Sequence, residues 1–257
     1  MTARRPFIAG NWKMHLDREA IDGFCKGLKL NLADPVDCRL GIFPPVVYLE
    51  RVLRALDGTG VTVGAQTCHP ADQGAFTGEV SARMLADVGA HAVLVGHSER
   101  RHVFGETDSD VRERLDAALT AGLDVVLCVG ETLDERRAGD TLQVVQRQLQ
   151  VGLSGVDGDT LAGRITIAYE PVWAIGTGQT ATPQQAQEAH AEIRKMLGAL
   201  TGADAAARTI IQYGGSVKPA NAAELMDCPD VDGALVGGAS LELSSFEAIA
   251  RFDRQGV

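Results

Sequence analysis

Ile165-Thr166-Ile167-Ala168-Tyr169-Glu170-Pro171, followed shortly by Thr182-Pro183-Gln184-Gln185, is the stretch that decides the fold. The first five residues are a short run rich in β-branched side chains and almost wholly apolar, the pattern of a strand buried on both faces of a parallel sheet. Thr182 then offers a helix N-cap, Pro183 a first helical residue and Gln185 a capping-box partner. Ala186, Ala189, Ile193, Met196, Leu197 and Leu200 follow at helical spacing. The stretch reads as a strand–loop–helix unit with an acid, Glu170, at the strand's C-terminal end.

The same pattern repeats outward in both directions. Apolar runs occur at 7–9, 40–43, 61–65, 92–95, 125–129, 165–169, 209–213 and 234–236. Eight runs in 257 residues leave about 32 residues per unit, and a βα unit with its loops needs roughly 30. Asp108-Ser109-Asp110 opens another helix, with Val111, Leu115, Ala118 and Leu119 on one face. Alternating strand and helix predicts an α/β fold with a parallel sheet. An open doubly wound sheet also satisfies that alternation; eight strands favour closure into a (β/α)8 barrel. No linker, low-complexity tract or composition break interrupts the chain, so a single domain over residues 1–257 is expected.

Composition excludes several classes. Apolar residues make up 45% and charged residues 23%, as in ordinary globular proteins and unlike disordered or collagen-like chains. The 29 glycines follow no period of three and point to tight turns and close backbone approaches. A net charge of −10 argues against nucleic-acid binding, while leaving room for an anionic substrate wherever local potential is positive. No run reaches the roughly 18 apolar residues that span a bilayer, and the N-terminal stretch, cut by Asn11 and Lys13, does not read as a signal peptide. Cys25, Cys38, Cys68, Cys128 and Cys228 are odd in number and none pair as C-x-x-C, which reads as reduced thiols in a cytoplasmic protein. Cys128, within an apolar run, reads by default as a small buried hydrophobe.

Active sites of parallel barrels lie at the C-terminal ends of the strands. The polar residues just past the runs are Asn11 and Lys13, then His97, Ser98 and Glu99, then Glu170, then Gly214-Gly215-Ser216, and last Gly237-Gly238-Ala239-Ser240. Taken singly, each has an ordinary reading: a solvated lysine, a satisfied loop histidine, an acid pairing with arginine, a plain glycine turn. Far apart in sequence, they would share one rim. Glycine-rich loops after the last two strands are where barrels hold phosphate, because bare backbone N–H groups approach it closely. Metal-ligand spacing, G-x-G-x-x-G and P-loop signatures are all missing, so no metal and no nucleotide cofactor is expected. One carboxylate, one imidazole, one ammonium and a phosphate cradle suit proton abstraction beside the carbonyl of a small phosphorylated substrate.

These residues fall within longer stretches: Gly10-Asn11-Trp12-Lys13-Met14, Gly74-Ala75-Phe76-Thr77-Gly78-Glu79, Gly96-His97-Ser98-Glu99-Arg100-Arg101 and Cys128-Val129-Gly130-Glu131. They continue with Ala168-Tyr169-Glu170-Pro171-Val172-Trp173-Ala174-Ile175-Gly176-Thr177-Gly178, Tyr213-Gly214-Gly215-Ser216-Val217 and Val236-Gly237-Gly238-Ala239-Ser240. In that order the chain resembles the triosephosphate isomerase family over essentially its whole length. The resemblance implies a single-domain (β/α)8 TIM barrel and interconversion of dihydroxyacetone phosphate with D-glyceraldehyde 3-phosphate, without a cofactor. It implies Glu170 as base, His97 as electrophile, and Lys13 and Asn11 as the substrate-binding pair at the reacting end. Gly176, Ser216, Gly237 and Gly238 would hold the phosphate through their backbone. Ser98, Glu99 and Cys128 would form the supporting shell. Pro171, Val172, Trp173, Ala174, Ile175, Gly176 and Thr177 would form a lid that excludes water. His15 stands where many relatives carry Asn, and is expected just outside the site.

This family is itself the standard illustration of a carboxylate base working with a neutral histidine under a closing loop, so these roles come with the resemblance and not from spacing. The helix expected to open at Ser98-Glu99-Arg100 would lower the His97 pKa. Residues 66–79 read as an unusually long connection; in the family this loop, with Thr77 near its tip, inserts beside Asn11 and Lys13 of a second subunit, which implies a homodimer. A related isomerase of four-carbon sugar phosphates and a non-catalytic phosphate-binding barrel are the alternatives.

Overall fold

The structure is a computed structural model that describes residues 4–174 and 181–252. Eight parallel strands close into a barrel in chain order. They are β1 (Phe7–Asn11), β2 (Arg39–Phe43), β3 (Thr62–Ala65), β4 (Ala92–Val95), β5 (Asp124–Val129), β6 (Ile165–Tyr169), β7 (Ile211–Tyr213) and β8 (Gly233–Val236). β8 returns to β1 with Phe7 opposite Gly233, so closure and not an open sheet is what the eight units build. Among the described residues, helices connect the successive strands, as parallel pairing requires.

Strand alternation divides the core in two. Phe7, Ala9, Phe43, Ala92, Leu94, Val126, Cys128, Ala168 and Leu235 fill the barrel interior. Their neighbours of opposite parity, such as Ile8, Ile42, Val93, Leu127, Ile167, Tyr169 and Tyr213, pack outward against the helices. That two-sided burial is why the runs read as continuous apolar stretches. The interior is tight: a Cβ on Gly64 would stand 2.5 Å from the Ala92 carbonyl oxygen and from the Phe43 ring.

The Pro183–Thr201 helix starts as its sequence demands. Thr182 Oγ1 accepts from Gln185 N–H at 3.2 Å, and Gln185 Oε1 accepts from Thr182 N–H at 3.0 Å. Ala186, Ile193 and Leu197 are buried, while Leu200 at its far end is exposed. The Asp108–Thr120 helix opens at Asp108 as expected, with Thr107 as its cap in a reciprocal pair with Asp110. The expected run at 209–213 yields a strand only from Ile211, because the Thr209 hydroxyl donates back to the Ala205 carbonyl and closes the preceding helix.

Candidate active site

The C-terminal end of the barrel opens into a pocket of 340 Å3. Asn11, Lys13, His97, Glu170, Ser216, Gly237 and Gly238 all line it, so residues from five strand ends converge as expected. His15 also lines it, which corrects its expected place just outside: the backbone at Lys13 and Leu16 takes left-handed conformations (φ 51° and 70°) that bend the segment over the mouth. Gly176, Ile175 and Thr177 lie outside the described residues. Thr77 does not line the pocket; it lies on the exposed stretch 72–79, where Phe76 stacks on His69.

Glu170 follows β6 directly and is 2% exposed. Its Oε2 accepts from Ser98 N–H at 2.9 Å, and its Oε1 lies 3.0 Å from His97 Nε2. Gly130 makes this position possible, since a Cβ there would overlap the Glu170 carbonyl oxygen at 1.8 Å. His97 caps the Ser98–His102 helix, its Nδ1 accepting from Glu99 N–H at 3.2 Å. That hydrogen bond places the ring proton on Nε2, facing Glu170.

Charges in this cluster set one another's ionisation. Burial works most strongly against the His97 imidazolium, but the charge and hydrogen bond of Glu170, with the Glu99 carboxylate, together hold the histidine above its ordinary pKa. The expected lowering by the helix N-terminus is therefore not the net effect in this arrangement. Burial likewise works against the Glu170 carboxylate, but His97, the Ser98 N–H and Lys13 together hold it below the usual range. Lys13 Nζ pairs with Glu99 Oε1 at 2.5 Å, while Lys13 N–H donates to Asn11 Oδ1 at 3.0 Å. Cys128 is fully buried in the barrel interior, one layer below Glu170. Burial first, and the Glu170 carboxylate beside it second, push its thiol well above the ordinary range.

At the opposite end of the pocket, Asn221 braces the turn after β7. Its Oδ1 accepts from Lys218 N–H at 2.8 Å and its Nδ2 donates to the Ser216 carbonyl at 3.1 Å. Among the described residues, the backbone N–H groups of Ser216, Gly237 and Gly238 meet no protein acceptor. Converging donors of this kind suit an anion.

Two supporting residues were not singled out from sequence. Gln66 Nε2 donates to the carbonyls of Lys13 at 2.8 Å and Phe43 at 2.9 Å, tying the strained lysine to β2. Glu131, wholly buried, accepts from Tyr169 Oη at 3.0 Å, Trp173 Nε1 at 3.0 Å and Arg136 Nη1 at 3.1 Å. It thereby fixes the described start of the segment after β6. Glu131 belongs to the Cys128-Val129-Gly130-Glu131 stretch, but its burial is not written in its neighbours. Among the described residues, no group of three or more His, Cys, Asp or Glu side chains is placed to hold a metal ion, and no helix is long and apolar enough to cross a membrane.

The triosephosphate isomerase family model matches residues 6–253. A triosephosphate isomerase of Syntrophotalea carbinolica is 48% identical over 249 residues, covering 97% of this chain and 98% of the relative. That of Carboxydothermus hydrogenoformans is 51% identical over 248 residues, covering 96% and 98%. That of Rhodopirellula baltica is 49% identical over 249 residues, covering 97% and 98%. With near-complete coverage on both sides and a closed eight-stranded barrel, the chain belongs to the triosephosphate isomerase family.

Proposed function

We propose that this protein interconverts dihydroxyacetone phosphate and D-glyceraldehyde 3-phosphate through an enediol(ate), serving glycolysis and gluconeogenesis. The observation that carries this reading is the pairing of Glu170 with His97 at one end of a pocket whose other end presents backbone N–H groups that meet no acceptor among the described residues. Glu170 takes a proton from the carbon beside the carbonyl and returns it to the neighbouring carbon; its two oxygens let one base reach both. In the arrangement seen, both oxygens are engaged by Ser98 and His97, so the carboxylate must exchange those contacts for substrate. Nε2–H of His97 then faces the substrate oxygens in turn. Once Glu170 leaves it, burial and the Glu99 N–H that donates to Nδ1 both favour the neutral ring, which matches an enediol in acidity better than an imidazolium. Lys13 and Asn11 bind the reacting end, where the ammonium offsets charge on the enediolate. Ser216, Gly237 and Gly238 bind phosphate through their N–H groups.

The active form is proposed to be a homodimer. Met14, Val47, Phe76 and Phe104, on the connections after β1, β2, β3 and β4, are 92%, 77%, 47% and 66% exposed. Consecutive strands bring them to one side of the barrel rim, and exposed apolar patches of that kind mark interfaces. Thr77 lies in the same region and would face the partner's site. A cytoplasmic location is supported by five cysteines that are all free thiols. Neither nucleic acid nor a cofactor has a place in this reading.

The test is isomerisation of D-glyceraldehyde 3-phosphate by purified protein, coupled to reduction of the dihydroxyacetone phosphate formed, with Glu170→Gln as control. High turnover abolished in the variant is the expected result. No turnover from folded protein would overturn the reading, and turnover confined to four-carbon sugar phosphates would reassign the substrate. Sedimentation showing a fully active monomer would remove the dimer.

A further inference from the structure

Resting on the reading that the pocket takes a phosphorylated substrate, we infer that Lys218 is a capture residue, the cation that draws the phosphate dianion into the glycine-lined end.

The charges around the pocket leave this task open. Net charge is −10, so the molecule as a whole repels a dianion. Lys13 lines the pocket, but its ammonium is held by Glu99 at 2.5 Å and also faces Glu170. At the phosphate end, Ser216, Gly237 and Gly238 offer N–H dipoles, which act at contact and fade quickly with distance. Lys218 lines the same pocket, is exposed, and has no acidic partner within 4 Å among the described residues.

Its placement is built and not incidental. Asn221 ties Lys218 N–H and the Ser216 carbonyl to one amide, so the lysine is held in register with the loop that presents the Ser216 N–H. Lys218 also occupies the N-cap of the Pro219–Met226 helix. A cation there opposes the helix dipole, and the position favours Ser, Thr, Asp or Asn. The residue works against local stability at the place where a dianion would gain most from it. An exposed ammonium at the mouth acts on encounter, while the chemical step proceeds at the far end beside Glu170.

The inference makes a kinetic signature. Lys218→Gln should lower kcat/KM about fivefold at low ionic strength, through KM, with kcat within about twofold of wild type. Screening shortens from about 30 Å at 0.01 M to about 3 Å at 1 M, so the gap should close in high salt. Lys218→Arg should restore wild-type behaviour. Lys195→Gln, which removes the same charge from an exposed lysine paired with Glu192 on the Pro183–Thr201 helix, should change nothing. A loss in kcat, a loss that persists in high salt, or an equal effect from Lys195→Gln would each overturn the assignment. Titration with inorganic phosphate separates this inference from the activity it rests on. Weaker phosphate binding in Lys218→Gln upholds the lysine's role even if wild type fails to isomerise triose phosphate. Unchanged phosphate affinity overturns it even if wild type is fully active.

Discussion

Glu131 and Glu170 are both buried carboxylates just past the ends of neighbouring strands, yet they occupy opposite sides of the barrel wall. Glu131 lies two residues beyond β5 and Glu170 one residue beyond β6. Val129 and Tyr169 pair in register and both face outward, so the second residue on lies outside and the first inside. Glu131 falls among the helices, where Tyr169 and Arg136 satisfy it and Trp173, at the start of the expected lid, adds a third donor. Glu170 falls into the pocket, where a histidine ring and the Ser98 N–H hold its two oxygens. A carboxylate whose partners are all protein groups away from the pocket is a fastener; one whose partners can be exchanged for substrate can do chemistry.

Shortening each acid by one methylene tests that division. Glu170→Asp withdraws the carboxylate by roughly 1 Å and should lower turnover by about a hundredfold or more, with the melting temperature nearly unchanged. Wild-type turnover in that variant would mean Glu170 is not the base. His190 sharpens the contrast, being a buried titratable group between Tyr169 and Tyr213 that does not line the pocket. Burial chiefly pulls its pKa from 6.5 to about 4. The unfolded chain therefore binds the proton more readily than the folded one. The contribution is complete above pH 6.5 and is lost as pH falls toward about 4, amounting to about 3 kcal/mol. Denaturant unfolding at about pH 7 and about pH 4.5 should show a steeper acid loss in wild type than in His190→Gln; parallel losses would mean His190 is not the group responsible.

Glu131→Asp should reverse the pattern of its neighbour. Retracting the acceptor from three donors should cost about 2 kcal/mol of stability, with turnover reduced less than about tenfold. A turnover loss equal to that of Glu170→Asp would erase the distinction. The smallest effect is expected from Trp173→Phe, which removes one donor to Glu131 and weakens the Arg136 stacking seen at 4.4 Å. About 1 kcal/mol should be lost, read from the unfolding midpoint at constant m-value.

Much of this was legible from residues alone. The eight apolar runs, the Thr182-Pro183-Gln185 helix start and the polar residues past each run depend on local preferences, and the strands and the shared rim followed them. Glu170, His97 and Lys13 stood out because a charged or titratable side chain just past a strand end has few places to go in a parallel barrel. The motif stretches also carried the family resemblance. His190 is not legible in this way, because a histidine within a helix reads the same whether its face meets solvent or two buried tyrosines.

The sequence by itself determined the order of the βα units, the capped helix starts and the set of polar residues at the strand ends, because propensity, capping and periodicity act over a few neighbours. Tertiary structure alone decided that the sheet closes, that Glu170 faces inward while Glu131 faces outward, that Lys13 pairs with Glu99, and that His97 is held up by Glu170. Those outcomes depend on strand register and on charges brought within a few ångströms from distant parts of the chain, and neither is encoded in any local stretch.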